Sequence, residues 1–180
     1  MNGRNTLTGA CLPLFIRMHR IADLTRTIRG RHHWDDESLI DTVAAADRIE
    51  AELKEEKQRM DSMIRSKSPR CVDVLEFSLT PHLARPDLTS HRYLHEAFRI
   101  ACLLSLTTFV LHVPPATLRV RLLVRQALSL LEQMHDQNLP GYCSSHWVIF
   151  VTGLCCTKGG VMEGELDDCE RIDQLYDDFE

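Results

Sequence analysis

Glycine, aromatic residues and paired cysteines are scarce or missing in this chain, and each shortage removes a class of protein. Only 8 of the 180 residues are Gly and 6% are aromatic, which favours helices over the many short strands and turns of a sandwich or barrel. The seven Cys, at 11, 71, 102, 143, 155, 156 and 169, include no C-x-x-C pair, and an odd, scattered set is not a disulfide framework. There is no Gly-flanked nucleophile elbow, no P-loop and no dinucleotide fingerprint. No run alternates with period two for long enough to demand a sheet. Arg4 is followed by LTGACLPLFI, a short apolar run without a small-residue cleavage site, so no secretory signal is expected and reduced, intracellular thiols are.

Charge is also missing where it matters most. Between Ile100 and Leu118 there is no Asp, Glu, Lys or Arg. Ile100, Ala101, Leu103, Leu104, Leu106, Phe109, Val110 and Leu111 leave no consistent polar side, and a helix apolar all round is either a domain centre or a membrane span. A span needs about 20 mostly apolar residues. Pro114-Pro115 stop the run before that length, and Ser105, Thr107, Thr108 and His112 weaken it, so a buried central helix is expected. Hydrophobic content of 44% and charged content of 26% fit one globular domain of ordinary size.

The net charge of −5 is unevenly placed. Residues 163–180 hold nine acids (Glu163, Glu165, Asp167, Asp168, Glu170, Asp173, Asp177, Asp178, Glu180) against Arg171 alone, while the rest is close to neutral. A wholly basic nucleic-acid surface is not indicated.

Helical periodicity places a first helix at about 7–29 through Leu7, Leu14, Met18, Ile21, Leu24 and Ile28, with Pro13 in its first turn or dividing it. Asp35 is an N-cap, with Trp34 and Leu39 as its staple and Asp36 and Glu37 opposing the helix dipole. Leu39, Val43, Ala46, Ile49 or Glu50, and Leu53 carry the stripe toward Met63. Pro69, Pro81 and Pro86 then break the pattern, leaving only 72–79 for a short helix. The central helix follows, capped by Thr89 or Ser90, and Pro115 opens the next one. That helix buries Val120, Leu123, Val124, Ala127, Leu130, Leu131 and Met134 and ends at Asn138, Pro140 and Gly141. Ser144 or Ser145 starts HWVIFVTGLCC, and Gly159-Gly160 close it. A last helix places Ile172, Leu175, Tyr176 and Phe179 together. The expected fold is all-α, about seven helices in antiparallel pairs around the buried central helix. Its parts are an N-terminal helical part at 1–65, a Pro-containing linker at 66–89, a central core at 90–162 and an acidic helix or tail at 163–180.

Three separated segments carry a family resemblance, in order. LTGACLPLFIRMHRIADLTR (7–26) resembles an early "G-C-small-Leu…Ile…Ile-Ala-x-Leu" helix. YLHEAFRIACLLSL (93–106) is similar to a central helix in which a His-Glu-Ala-Phe-Arg start runs into an apolar core. HWVIFVTG (146–153) matches a late "Trp-Pro-x-Phe-x-x-Gly" element through Trp147, Phe150 and Gly153. Together they resemble the fungal-specific transcription factor domain, the regulatory region downstream of the zinc binuclear cluster in fungal transcription factors. Val148 stands where that family has Pro, and Leu154-Cys155-Cys156 replace its Cys-Glu-Ala ending. The zinc cluster needs six Cys in paired C-x-x-C spacing beside a basic segment, which this chain does not have. The resemblance therefore implies a nuclear regulator of RNA polymerase II-dependent transcription without its own DNA reader. Its expected partners are coregulator proteins or a chain carrying the zinc cluster, a homodimer being one possible assembly. Direct DNA contact and membrane contact are not expected.

Sharper chemistry finds little support. His91 and His95, four apart beside Glu96, could bind a metal, but H-E-x-x-H needs Glu where Arg92 stands and the inverted form needs it where Leu94 stands. Half-exposed histidines at a helix start are the plainer account. Cys143 and His146 make half a zinc site whose other half would have to come from Cys155, Cys156 or Cys169, and buried apolar thiols explain these better. His32 and His33 with Asp35, Asp36 and Glu37 collect ligand types that capping already explains. Arg17, Arg20, Arg26, Arg29 and Arg31 suit a solvated face, or one that receives the acidic tail, better than a phosphate site. The tail itself fits a packed terminal helix better than a disordered activation region. No catalytic, cofactor-binding or metal residue is expected, and Phe98, Leu104, Trp147 and Phe150 are expected to be structural. The alternative to a transcription regulator is a helical protein-interaction scaffold unrelated to transcription.

Overall fold

The computed structural model describes residues 6–30, 35–67, 86–139, 142–157 and 167–177, which are helical or connecting throughout, with no strand among them. Six α-helices follow one another: α1 Thr6–Gly30, α2 Asp36–Lys67, α3 Pro86–Ser105, α4 Leu118–Asp136, α5 His146–Cys155 and α6 Asp168–Asp177. A π-helical turn, Leu106–Val110, continues α3, and a 3-10 turn, Tyr142–Ser144, precedes α5. The fold is all-helical. The short helix expected at 72–79, the Trp34 staple and the break at Gly159-Gly160 lie outside the described residues.

Local chemistry accounts for most of the boundaries. Asp35 caps α2, its Oδ1 accepting the Ser38 N–H at 2.8 Å, which satisfies one donor left over at the helix start. Pro13 sits well inside α1 rather than in its first turn, and the helix runs through it. The proline removes one backbone donor, while Cys11 and Leu14 on either side are buried and the Arg17 guanidinium donates to the Pro13 carbonyl at 2.6 Å. The start of α3 is Pro86, not the Thr89 or Ser90 cap expected. Proline suits a first helical position because its missing N–H would have had no helical partner there.

The C-terminal end of the apolar run is unusual. Leu111 N–H reaches the Leu106 carbonyl five residues back at 3.0 Å, which defines the wide π turn. The Thr108 hydroxyl donates to the Leu104 carbonyl, a side-chain bond of the kind that distorts helices. His112 then takes the left-handed conformation at φ 52°, and Val113 N–H closes on the Thr107 carbonyl at 3.0 Å. Pro115 does not open the next helix. The Pro114 carbonyl accepts the Thr117 N–H at 3.0 Å and its hydroxyl at 2.9 Å, so these prolines form a turn and Thr117 flanks α4 with extended backbone. At the far end of α4, Asn138 is left-handed at φ 46°. Leu139 N–H bonds the Met134 carbonyl and Asn138 N–H the His135 carbonyl, the paired bonds of a Schellman ending.

Packing follows the apolar periodicities, with one correction. In α4, Val120, Val124, Ala127, Leu128, Leu131 and Met134 are buried, the Val, Leu and Met side chains each worth about 1.5–3 kcal/mol on removal from water. Leu123 and Leu130 lie at the margin instead. In α2 the buried stripe is Thr42, Ala46, Ile49, Leu53, Glu56 and Met60, spaced alternately four and three apart as a packed helical seam requires. Leu39, Val43 and Met63, expected in that stripe, are exposed. The seam holds a threonine and a glutamate, so hydrophobicity alone found its middle, Ala46, Ile49 and Leu53, and misplaced its two ends. The most continuous burial is in α3 and its π turn, where Ala97, Phe98, Ile100, Ala101, Cys102, Leu104 and Leu106 are inaccessible or nearly so. This segment packs against α1, α2, α4 and α5, and α6 rests on α4 and α5.

Candidate functional site

Charged side chains meet inside the contact of α1, α2 and α3. Glu56 of α2 is only 4% exposed. It accepts a hydrogen bond from Arg59 at 2.8 Å and lies 3.7 Å from Arg17 Nη2 and 3.6 Å from His95 Nε2. Arg17 and Arg20 reach Glu52 at 3.5 and 2.6 Å, and Arg99 makes two 2.7 Å bonds to Glu96. His95 is therefore a buried histidine facing a carboxylate, not a half-exposed one at a helix start. Burial pushes its pKa below the ordinary 6.5, against the opposing pull of Glu56 and Glu96. For Glu96 burial acts to raise the pKa, but the bonds from Arg99, aided by Lys57, hold it below the ordinary value. The arrangement joins three helices by ion pairs.

Among the described residues no three His, Cys, Asp or Glu side chains are grouped to hold a metal ion. His32, His33, Arg31 and the Cys143 side chain lie outside the described residues, and His146 is exposed. Burial pushes the Cys11 thiol up to about 11 and those of Cys102 and Cys156 to about 12, and raises Cys155 too. Thiols held protonated in this way are poor nucleophiles and poor ligands. The arginine run of α1 does not form one solvated face, because Arg17 and Arg20 are committed to α2. Nor, among the described residues, does it receive the C-terminal acids. Arg171 of α6 makes two 2.7 Å bonds to Glu132 of α4, and Asp168 lies 3.7 Å from Arg125.

What the fold does build is an apolar hollow of about 570 Å³ between α1, the π turn and α5. Met18, Ile21, Ala22 and Thr25 form the α1 wall, Ser105 and Phe109 lie on the α3 side, and Trp147, Phe150, Val151 and Leu154 form the α5 wall. The volume is within the range of small-molecule sites. Phe150 and Leu154 are each 53% exposed, so the hollow is open to solvent. Phe150 is therefore part of this wall and not of the core. Trp147 is held from behind, stacked on Phe98 with centroids 5.8 Å apart, and Phe98 meets Phe15 edge-on at 5.4 Å. Two arginines stand at the rim. Arg26 is paired with Asp23 at 2.9 Å, whereas Arg29 makes no ion pair with a described residue. Sequence reasoning missed this site because Met18 and Ile21 read as core. The available signal was α5 itself, which is apolar on sides that one short helix cannot bury.

A family model of the fungal specific transcription factor domain matches residues 1–180. The chain belongs to this family. No curated protein and no solved structure shows a significant similarity to it. The fungal specific transcription factor domain is a transcription-regulatory module and not typically an enzyme. In this member of the family the three matching residues of the "Trp-Pro-x-Phe-x-x-Gly" element have distinct surroundings. Trp147 stacks on α3, Phe150 lines the hollow, and Gly153 faces Ile172 and Tyr176 of α6. No described helix is long and apolar enough to cross a membrane.

Proposed function

We propose that this chain is the regulatory domain of a fungal transcription factor that controls RNA polymerase II-dependent transcription in the nucleus, without a DNA-binding zinc cluster of its own in these 180 residues. The observation that carries the reading is the family match along the entire sequence. DNA contact comes from a partner chain bearing the zinc cluster, or from coregulators already on the promoter, and not from this chain. The architecture that suits such a role is a set of about seven helices packed in antiparallel pairs around α3, with no residue doing covalent chemistry. The hollow beside α5 is where a small effector or a partner side chain would bias the domain.

The test is to fuse the full chain to a foreign DNA-binding domain and measure a reporter gene in a fungal host, alongside microscopy of the fusion. Nuclear fusion protein that changes reporter output several-fold, in either direction, supports the reading. Nuclear, intact fusion protein with output equal to the DNA-binding domain alone overturns it. The exposed Leu39, Ile40 and Val43 on α2 are what favour the second reading, a helical protein-interaction scaffold unrelated to transcription. Exclusion of the unfused chain from the nucleus would favour that scaffold.

A further inference from the structure

We propose that the hollow between α1, the π turn and α5 binds a small amphipathic acid, with an aliphatic chain in the hollow and a carboxylate at Arg29. This deepens the regulatory reading and rests on it for the ligand's role as an effector. Three features of different kinds converge. The interior is built of Ile21, Phe109, Trp147 and Val151, which reward an apolar body and supply no side-chain hydrogen bonds to the many polar groups of a sugar. At the mouth, Arg29 is exposed and has no acidic partner among the described residues, while its neighbour Arg26 is neutralised by Asp23. One cation at the rim of an apolar cavity selects a single anionic head, since a guanidinium matches a carboxylate with two parallel bonds.

The third feature is Ser105. It is 6% exposed, lines the hollow, and its hydroxyl has no hydrogen-bond partner among the described residues. Serine in a helix commonly bonds the carbonyl four residues back, as Thr108, Thr25 and Thr152 do here. That hydroxyl is not one of the sealed, unpartnered polar atoms, so solvent in the hollow reaches it, and a bound polar atom can take that solvent's place. Ser105 immediately precedes the π turn and Phe109 lies within it. An occupant would therefore touch the one stretch of the α3 segment where the helical hydrogen bonding is irregular, a feature often found at functional sites. A peptide helix fits less well: it would need a longer groove with anchors at i, i+3, i+4 and i+7, and the hollow spans only about 570 Å³.

The probe is sodium dodecanoate, kept below its micellar concentration and titrated into the purified chain. Trp147 emission is followed in a Trp34→Phe background, because Trp34 is the only other tryptophan. Saturable quenching with a rise in melting temperature is expected. Arg29→Ala, an exposed change that should leave the fold intact, is expected to weaken binding about tenfold, the loss of one charge-assisted contact. Ala22→Phe, which fills the hollow from an exposed α1 position without adding a second tryptophan, is expected to abolish binding. Dodecyltrimethylammonium, with the same tail and opposite charge, should bind wild type at least about tenfold more weakly and lose that disadvantage in Arg29→Ala. The proposal is overturned by absence of saturable binding, by equal affinity for the two head groups in wild type, or by both variants binding as wild type does. It is overturned as well by saturable binding of an acidic aromatic peptide that dodecanoate does not displace. None of these readouts involves transcription, so a silent reporter and an empty hollow are separate failures.

Discussion

Replacing Leu104 by alanine tests the packing of α3 most directly. The side chain is fully buried, so deletion removes its transfer free energy and leaves a void that rigid neighbours only partly refill. Losing two to three methylene equivalents costs about 2 kcal/mol at ~0.8 kcal/mol each. A residual void of ~60 Å³ adds about 1.4 kcal/mol at ~24 cal/mol per Å³. The sum, about 3.4 kcal/mol, lies inside the ~2–5 kcal/mol span measured for buried Leu→Ala changes. For a chain of 180 residues an unfolding entropy of ~2.1 cal/mol/K per residue makes this a drop of about 9 °C in Tm. Urea denaturation gives the free energy, and differential scanning calorimetry gives Tm. Leu118→Ala is the internal control. That leucine is 73% exposed, and its loss should change stability by no more than ~0.5 kcal/mol. If the two variants melt together, within ~2 °C of wild type, the account of α3 packing is wrong.

Glu56→Gln should destabilise by about 1–3 kcal/mol, because it takes from the buried Arg17 one of its two carboxylates and from Arg59 its ion pair, leaving Glu52 alone to face Arg17, and chemical denaturation measures it. Stability should also fall as the pH drops from about 7.5 to 5.5. The folded state holds His95 below its ordinary 6.5, so the unfolded chain takes up that proton first and is favoured by acid; Glu56, Glu96 and Arg99 are the charges that bear on it. His95→Gln should flatten the dependence in this window, whereas the contributions of Glu96 and Glu50, whose pKa values are lowered below 4.5, should persist until the pH falls further. Gly153→Ala should be neutral or stabilising by up to about 1 kcal/mol, since the added methyl meets Ile172 and Tyr176 at ordinary contact distances of 3.6 and 3.9 Å and alanine is the better helix former. Gly153→Leu should push α6 off α5 and lower Tm.

Much of the helix plan was legible because it rests on neighbours in sequence. Asp35 three residues before Ser38, Asn138 after the last turn of α4, and the apolar period of Val120, Val124, Ala127 and Leu131 are all local facts. The seam of α2 was legible only in its middle, at Ala46, Ile49 and Leu53. Thr42 and Glu56 occupy buried positions there only because Ser38 accepts the Thr42 hydroxyl and α1 and α3 supply Arg17 and His95. Without those partners, burial of either polar group would be prohibitive. The interior position of His95 was hidden for the same reason.

By itself, the sequence determined an all-helical chain, the charge-free stretch that must be buried, and the family, since each follows from residue order and spacing. Only the tertiary structure decided that Arg17 and Arg20 serve α2 rather than solvent and that Asp168 and Arg171 of α6 answer to Arg125 and Glu132 of α4. It also decided that α1 and α5 stand far enough apart to leave an apolar hollow with Arg29 at its rim and Ser105 inside. Helices are set by interactions within a few residues. A cavity is set by how three of them fail to close on one another, and no periodicity in the chain records that distance.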